Sequence, residues 1–398
     1  MSCFVNTNRR KAVERIRDYL VAQIKALRSP SINAQVLQQQ NFLRYTDLYT
    51  FLARHQPQLA DEIGQAYINT MRWYYLHHFT RYEEALKKMK VNIIDKNDTL
   101  GSLEDPSSRR VKGTTALDAF SIGRRFDILK KSVHGALPSH VAEEDKSTHY
   151  LEVPFRAFNL ALVDNASFEY SFLSNFFSPS QSYQTISRTF DSIFSPTFSL
   201  GCGLTKSLIE NSGDAVGILL CVRLNQNFAF ELQRRKVPAV ESYINATNML
   251  LWPRFQQVMD THCESLRKAS SNLSGRPTAS IILAAGSSSQ SIAPHPLTQR
   301  FANFLQAVLM LSSEAGDDEP VANSLGRLRT DFETFLTKMS KSVSEQRKRA
   351  RFLYNNYSLI VTILEGANGK LADENRRHFD NLKDTYGREE HRGGSRGA

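Results

Sequence analysis

Apolar residues recur along this chain in steps of three and four, the period of an α-helix that buries one face. In the opening stretch they fall at Val13, Ile16, Leu20, Ile24 and Leu27. Asn8 suits the N-cap of that helix, and Pro30 ends it. The same period predicts a second helix over 34–54 and a third from Pro57 to about residue 89. The third carries a stripe of Ile68, Met71, Tyr75, Phe79, Tyr82, Leu86 and Met89, a near-heptad spacing that favours packing at shallow angles. Pro154 fits a first helical turn. Phe155, Phe158, Leu162, Phe168, Phe172 and Phe176 follow on several faces, so that helix should be buried nearly all round until Pro179 stops it. Further helices are predicted over about 181–193, 200–211 and 214–236. Pro238 opens another, which Pro253 should kink. One more covers 297–311, and a long helix from Pro320 is expected to run on to Leu364.

Two polar stretches interrupt this pattern. Residues 95–150 read as loop, with one short ordered piece over 120–129, and residues 269–296 are rich in Ser and Gly. They divide the chain into an N-terminal helical bundle (1–94), a polar loop region (95–150), a central bundle (151–268), a linker (269–296), C-terminal helices (297–386) and a disordered tail (387–398). No alternating run is long enough to predict a sheet, and no repeat of fixed period occurs. The expected fold is all-α: elongated, built from multi-helix bundles in a rod. With 398 residues, 41% of them hydrophobic, the chain has material for two or three core units.

The formal net charge of +10 favours acidic partners, whether nucleic acid, an anionic membrane face or an acidic protein surface. Three stretches carry much of it. The first holds Arg9, Arg10, Lys11, Arg15, Arg17, Lys25 and Arg28; the second Arg109, Arg110, Lys112, Arg124, Arg125, Lys130 and Lys131; the third Arg347, Lys348, Arg349 and Arg351. Solvated helix faces and loops account for such runs as well as a binding site does. The four cysteines, Cys3, Cys202, Cys221 and Cys263, form no CxxC pair. The opening residues lack the apolar core of a secretion signal, and no apolar run approaches the ~20 residues that span a bilayer. The chain therefore reads as cytoplasmic, with reduced thiols.

Candidate chemistry is sparse. Metal binding needs His, Cys, Asp or Glu at set spacings, and neither His77-His78 nor His262-Cys263 provides one, because neighbours on a helix point apart. Gly201-Cys202-Gly203-Leu204-Thr205-Lys206-Ser207 faintly suggests a phosphate loop, yet it lacks the glycine before the lysine and a preceding strand; it reads as a glycine-relaxed helix junction. No framed serine or cysteine nucleophile occurs. The basic stretches lack the interleaved aromatics of a nucleic-acid face. The expectation is no enzyme, no catalytic residue, no cofactor and no metal. Trp252, beside Pro253, reads as a core residue at a helix junction rather than a partner anchor.

Several blocks then suggest a family. They are RRKAVERIRDYLVAQIKALRSP, YINTMRWYYLHHFTRYEEALKKMK followed by DTLGSLED, FSIGRRFDIL, YLEVPFRAFNLALVDNASFEYSFLSNFF, VPAVESYINATNMLLWPRF and RFLYNNYSLIVTIL. In order and spacing, from about Thr7 to Leu364, this chain resembles the vacuolar protein sorting-associated protein 52 family. The resemblance implies a non-catalytic subunit of the Golgi-associated and endosome-associated retrograde (GARP and EARP) tethering complexes, a helical rod of the multisubunit tether type. It implies the other complex subunits, a Rab-class GTPase and SNARE proteins as partners, with an acidic membrane surface beside them. It also implies a location on trans-Golgi network and endosome membranes. Nucleic acid is not expected, and a stand-alone basic peripheral-membrane or nucleic-acid module is the alternative. Against the family pattern, the N-terminal coiled-coil half and the extreme C-terminus are missing. Residues 280–296 look like an insertion, and the likeness ends near Gly366. A partial gene model or splice form would account for this.

Overall fold

The computed structural model describes residues 2–29, 33–95, 98–102, 120–130, 135–273, 292–313 and 320–392. Among them are thirteen α-helices: α1 (Ser2–Ala26), α2 (Ala34–Leu37), α3 (Thr46–His55), α4 (Pro57–Lys87), α5 (Ser139–Glu144), α6 (Glu152–Phe177), α7 (Tyr183–Ile209), α8 (Ala215–Arg234), α9 (Glu241–Asn272), α10 (Pro296–Ser312), α11 (Val321–Ser340), α12 (Gln346–Leu364) and α13 (Lys370–Arg392). The fold is all-α, as its periodicity predicts. Two two-residue strands, β1 (Lys90–Val91) and β2 (Thr148–His149), pair in parallel, with Lys90 opposite Thr148.

The first helices pack as their stripes require. Leu20, Ile24 and Leu27 of α1 are buried, and so are Ile63, Tyr67, Met71, Tyr75, Phe79 and Leu86 of α4. Between α2 and α3 the chain passes through a π-helical turn (Gln38–Phe42) and a 3-10 turn (Leu43–Tyr45), where the sequence predicts one continuous helix. The wide turn drives Phe42 into an aromatic nest with Tyr67, Phe172 and Phe176, at centroid distances of 5.8, 6.0 and 5.7 Å.

Helix α6 is buried on nearly every side, from Phe155 and Phe158 to Phe176 and Phe177. α7 runs unbroken through Pro196, where two helices are expected. Its missing hydrogen bond is outweighed by the packing of Phe190, Phe194 and Phe198 on one ridge. Gly201 therefore lies inside a helix, and no phosphate loop forms there. A Cβ at Gly201 would sit 2.4 Å from the Tyr243 hydroxyl and 2.9 Å from Phe158. The glycine lets α7 close on α6 and α9. α9 likewise continues through Pro253, and Trp252 is partly buried against the core.

In the last third, the predicted helix from Pro320 breaks at 341–345, and α12 turns back beside α11. α13 packs along α12 and extends to Arg392, past the start of the expected tail; 393–398 lie outside the described residues. So does 274–291, which holds most of the predicted linker and insertion. The fully buried Arg223 of α8 donates to the Leu311 carbonyl at 2.6 Å, closing the C-terminal end of α10. Where the length suggests two or three core units, the buried hydrophobics form one continuous cluster, from Leu20 to Phe379.

Gly201→Ala should destabilise the protein by about 1–3 kcal/mol through overpacking. A denaturant titration showing no loss would mean that α7 does not press on Tyr243 as described.

Candidate interaction surface

The helices that could meet a partner are held in place by polar groups on α6. Buried helices leave little room for unsatisfied polar atoms, and three residues of α6 each find partners on a different element. Glu152 and Asp214, the latter at the start of α8, both grip Arg125 from the 3-10 turn Gly123–Leu129. Arg125 Nε donates to Glu152 at 2.8 Å and Nη2 to Asp214 at 2.6 Å, with the three side chains only 7%, 2% and 1% exposed. The Tyr150 ring lies 3.9 Å from the guanidinium carbon. Burial works against the charge of Arg125, but Asp214 and Glu152 overcome it and hold the pKa above its ordinary value. Burial pushes Glu152 up despite Arg125. Asp214 also caps α8, accepting from the Gly217 amide at 2.8 Å. A Cβ at Gly217 would lie 2.5 Å from Asp214 Oδ2 and 2.6 Å from Arg125 Nη2, so only glycine leaves space for the cluster.

Asn159, the second residue, accepts from the Tyr243 hydroxyl of α9 at 2.6 Å and donates to the Phe155 carbonyl at 2.8 Å. Glu169, the third, has no exposure and accepts from Tyr67 (2.6 Å), Tyr75 (2.9 Å) and Gln38 (2.8 Å). Burial raises its pKa, and the three hydrogen bonds offset that only in part. Burial and the neighbouring Glu169 push both tyrosines well up.

Described parts of the polar span, residues 90–95, 98–102 and 120–130, are pinned by similar contacts. The Gly213 amide donates to the Ile94 carbonyl at 2.8 Å. The Leu100 amide reaches His262 Nδ1 at 3.4 Å, and the Gly101 amide reaches Ser265 Oγ at 3.0 Å. Arg300 donates to the Ser102 carbonyl at 2.6 Å and lies 5.5 Å from the centre of the Phe120 ring.

The described groups do not assemble a reaction centre. Asp145, Ser147 and His149 have the residue types of a hydrolytic triad and lie within 2.6–2.8 Å of one another. Yet one nitrogen, His149 Nε2, faces both Ser147 and Asp145, so the ring cannot pass a proton between them. Hydrogen bonds from Ser147 hold Asp145 down at about 2, as in an ordinary turn. His262 is buried and pushed down to about 4 by burial, and Cys263 beside it is pushed up to about 11, chiefly by burial. No three metal-ligand side chains converge among the described residues.

The surface differs among the three basic stretches. The third is largely paired within the chain: Lys348 with Glu345 at 2.9 Å, Arg351 with Glu390 at 2.9 Å, and Arg349 with the Val343 carbonyl. In the second, Arg125 is the buried cation above and Lys130 pairs with Asp127; Arg109, Arg110, Lys112 and Lys131 lie outside the described residues. The first remains exposed along α1. Arg10 pairs with Glu14 and Arg17 with Asp18, while Lys11, Arg15, Lys25 and Arg28 face solvent. Beside the end of α1, Trp73 of α4 is 49% exposed, and its ring stacks on His77 at 5.1 Å and 6°. Helical periodicity alone does not reveal this face, since Trp73 lies off the apolar stripe without being polar.

Two outcomes test the anchors. Arg125→Met leaves two carboxylates buried without their cation and should cost about 3–5 kcal/mol in a denaturant titration. The Glu169 carboxyl has its folded pKa raised above the unfolded value of 4.5. Folding therefore takes up a proton between those two values. Its contribution is greatest below pH 4.5 and is lost as the pH rises through the folded value. Wild type should gain stability relative to Glu169→Gln as the pH falls toward 4.5, read from thermal midpoints across pH; parallel profiles would contradict this.

Comparison with known proteins agrees with this architecture. Residues 69–388 match the family model for the Vps52 C-terminal region, and residues 2–52 match that for the Vps52/Sac2 family coiled coil. The match thus continues beyond Gly366, and α1, α2 and most of α3 fall in the coiled-coil match. Vacuolar protein sorting-associated protein 52 of Schizosaccharomyces pombe is 36% identical over 388 residues, covering 96% of this chain and 72% of that protein. The Saccharomyces cerevisiae protein of that name is 33% identical, covering 89% and 60%, and the Arabidopsis thaliana form A is 30% identical, covering 94% and 50%. The chain therefore spans between half and three quarters of the length of these relatives. With both family models matched and this identity sustained over nearly its whole length, the chain belongs to the Vps52 family.

Proposed function

We propose that this chain is a non-catalytic subunit of a vesicle-tethering complex in endosome-to-trans-Golgi retrograde transport and endocytic recycling. It acts there as a helical scaffold for the other complex subunits, a Rab-class GTPase and SNARE proteins, working at trans-Golgi network and endosome membranes. The observation that carries this reading is the match of both Vps52 models, in order, over residues 2–52 and 69–388. The relatives bear the name vacuolar protein sorting-associated protein 52. Two physical features support a scaffold. The polar clusters are used to fix helices to one another, as at Glu152, Asn159 and Glu169. α1 meanwhile leaves the core with Lys11 and Arg15 solvent-facing. Several weak contacts made along one rigid body add up by effective concentration. Among the described residues, no helix is long and apolar enough to cross a membrane.

Affinity purification of the tagged chain, followed by mass spectrometry, tests the assignment. Other tether subunits should be recovered and should persist at 0.5 M salt, because helix-on-helix contacts tolerate screening that phosphate binding does not. A folded chain, helical by circular dichroism, that recovers none of them would count against the reading.

A further inference from the structure

The Trp73–His77 pair is set in a field of one sign. On α4, residues 63–82 contain no carboxylate, while Arg72 and Arg81 are both exposed. Ten residues of helix span about 15 Å, so Glu62 and Glu83, the flanking acids on α4, lie beyond the ~8 Å screening length of physiological salt from Trp73. Arg81 is nearer to Glu83, with the exposed Glu84 one turn on. Glu169 is behind α4, on its buried side, bonded to Tyr67 and Tyr75. The end of α1 adds cations. Arg28 Nη2 reaches Thr70 Oγ1 at 3.4 Å, one helical turn before Trp73, and Lys25 lies one turn back along α1; both side chains are exposed. Among the described residues, Lys25, Arg28, Arg72 and Arg81 make no ion pair.

We infer that this face, Trp73 and His77 rimmed by Lys25, Arg28, Arg72 and Arg81, docks on an anionic lipid bilayer. Trp73 is half-exposed and held by its stack on His77, so a large amphipathic ring is presented at a reduced ordering cost. An indole half in and half out of apolar surroundings suits the headgroup boundary, and the surrounding arginines suit lipid phosphates. α1 cannot insert itself, because Leu20, Ile24 and Leu27 are already buried in the core. The contact is therefore peripheral: electrostatic attraction plus one aromatic anchor. It rests on the tethering reading only for its cellular setting.

The test uses the full chain carrying Trp252→Phe, so that Trp73 is the sole tryptophan. It is sedimented with vesicles of pure phosphatidylcholine and of phosphatidylcholine with about 30% phosphatidylserine. Binding is expected to the anionic vesicles only, to fall steeply between 50 and 300 mM salt, and to shift Trp73 emission to the blue. Each surface cation removed should weaken partition about fivefold. Charge reversal at both Arg28→Glu and Arg72→Glu should therefore weaken it at least 25-fold. Arg188→Glu with Lys206→Glu, an equal change of charge on α7, should weaken it far less. Trp73→Ala should leave the helical signal intact and reduce binding severalfold. The inference is overturned if anionic vesicles do not bind, if emission does not shift, or if the α7 pair matters as much as the Arg28 and Arg72 pair. Those failures leave co-purification with tether subunits untouched, so the two readings fail separately.

Discussion

The rest of the structure depends on the burial of α6. A helix covered on nearly all sides cannot leave a polar side chain without a partner, since the cost of an unmet buried group exceeds what one hydrogen bond contributes. Glu152, Asn159 and Glu169 meet that demand by reaching to different elements: the 3-10 turn through Arg125, α9 through Tyr243, and α4 with the π-turn through Tyr67, Tyr75 and Gln38. The close-packed apolar stripes already resist sliding, and the polar contacts add directional partners that a shifted helix would leave unmet. α6 therefore works as the column against which the other helices are indexed.

That indexing extends to segments with little core of their own. Arg125 is useful because Asp214 caps α8 while Glu152 opens α6, so one guanidinium joins the starts of two helices to the polar span. Gly217 leaves the space it occupies. Farther along, Leu100 and Gly101 meet α9, and Arg300 holds the Ser102 carbonyl. The consequence for function is rigidity beneath an exposed face. Trp73 sits on the same helix as Tyr67 and Tyr75, two residues from one of the groups that bind Glu169.

Much of this was legible in the sequence. The stripe of α4, the all-round burial of α6 and its end before Pro179 follow from period and proline chemistry alone; Pro30 lies outside the described residues. Within the polar span the expected ordered piece over 120–129 contains the 3-10 turn Gly123–Leu129, while α5 and β2 are ordered where the sequence predicts loop. Other features were hidden for physical reasons. Pro196 ought to end a helix, but the stacked phenylalanines around it outweigh that penalty, a tertiary effect that no local rule carries. The break at 341–345 lies in a stretch without Gly or Pro. The partners of Glu169 lie 94 to 131 residues away in the chain, so neither its burial nor its bonding could be read locally. The first and third basic stretches look alike in sequence and differ in three dimensions, where Arg351 finds Glu390 and, among the described residues, Lys25 finds no carboxylate.

Native-state hydrogen exchange, resolved by peptide, tests the role of α6 most directly. The amides of Glu152–Phe177 should be among the slowest in the molecule and should open only with the body as a whole, while α1 and α13 exchange earlier. Exchange in α6 as fast as in α1 would contradict the account, because a helix that opens alone cannot be what holds its neighbours in register.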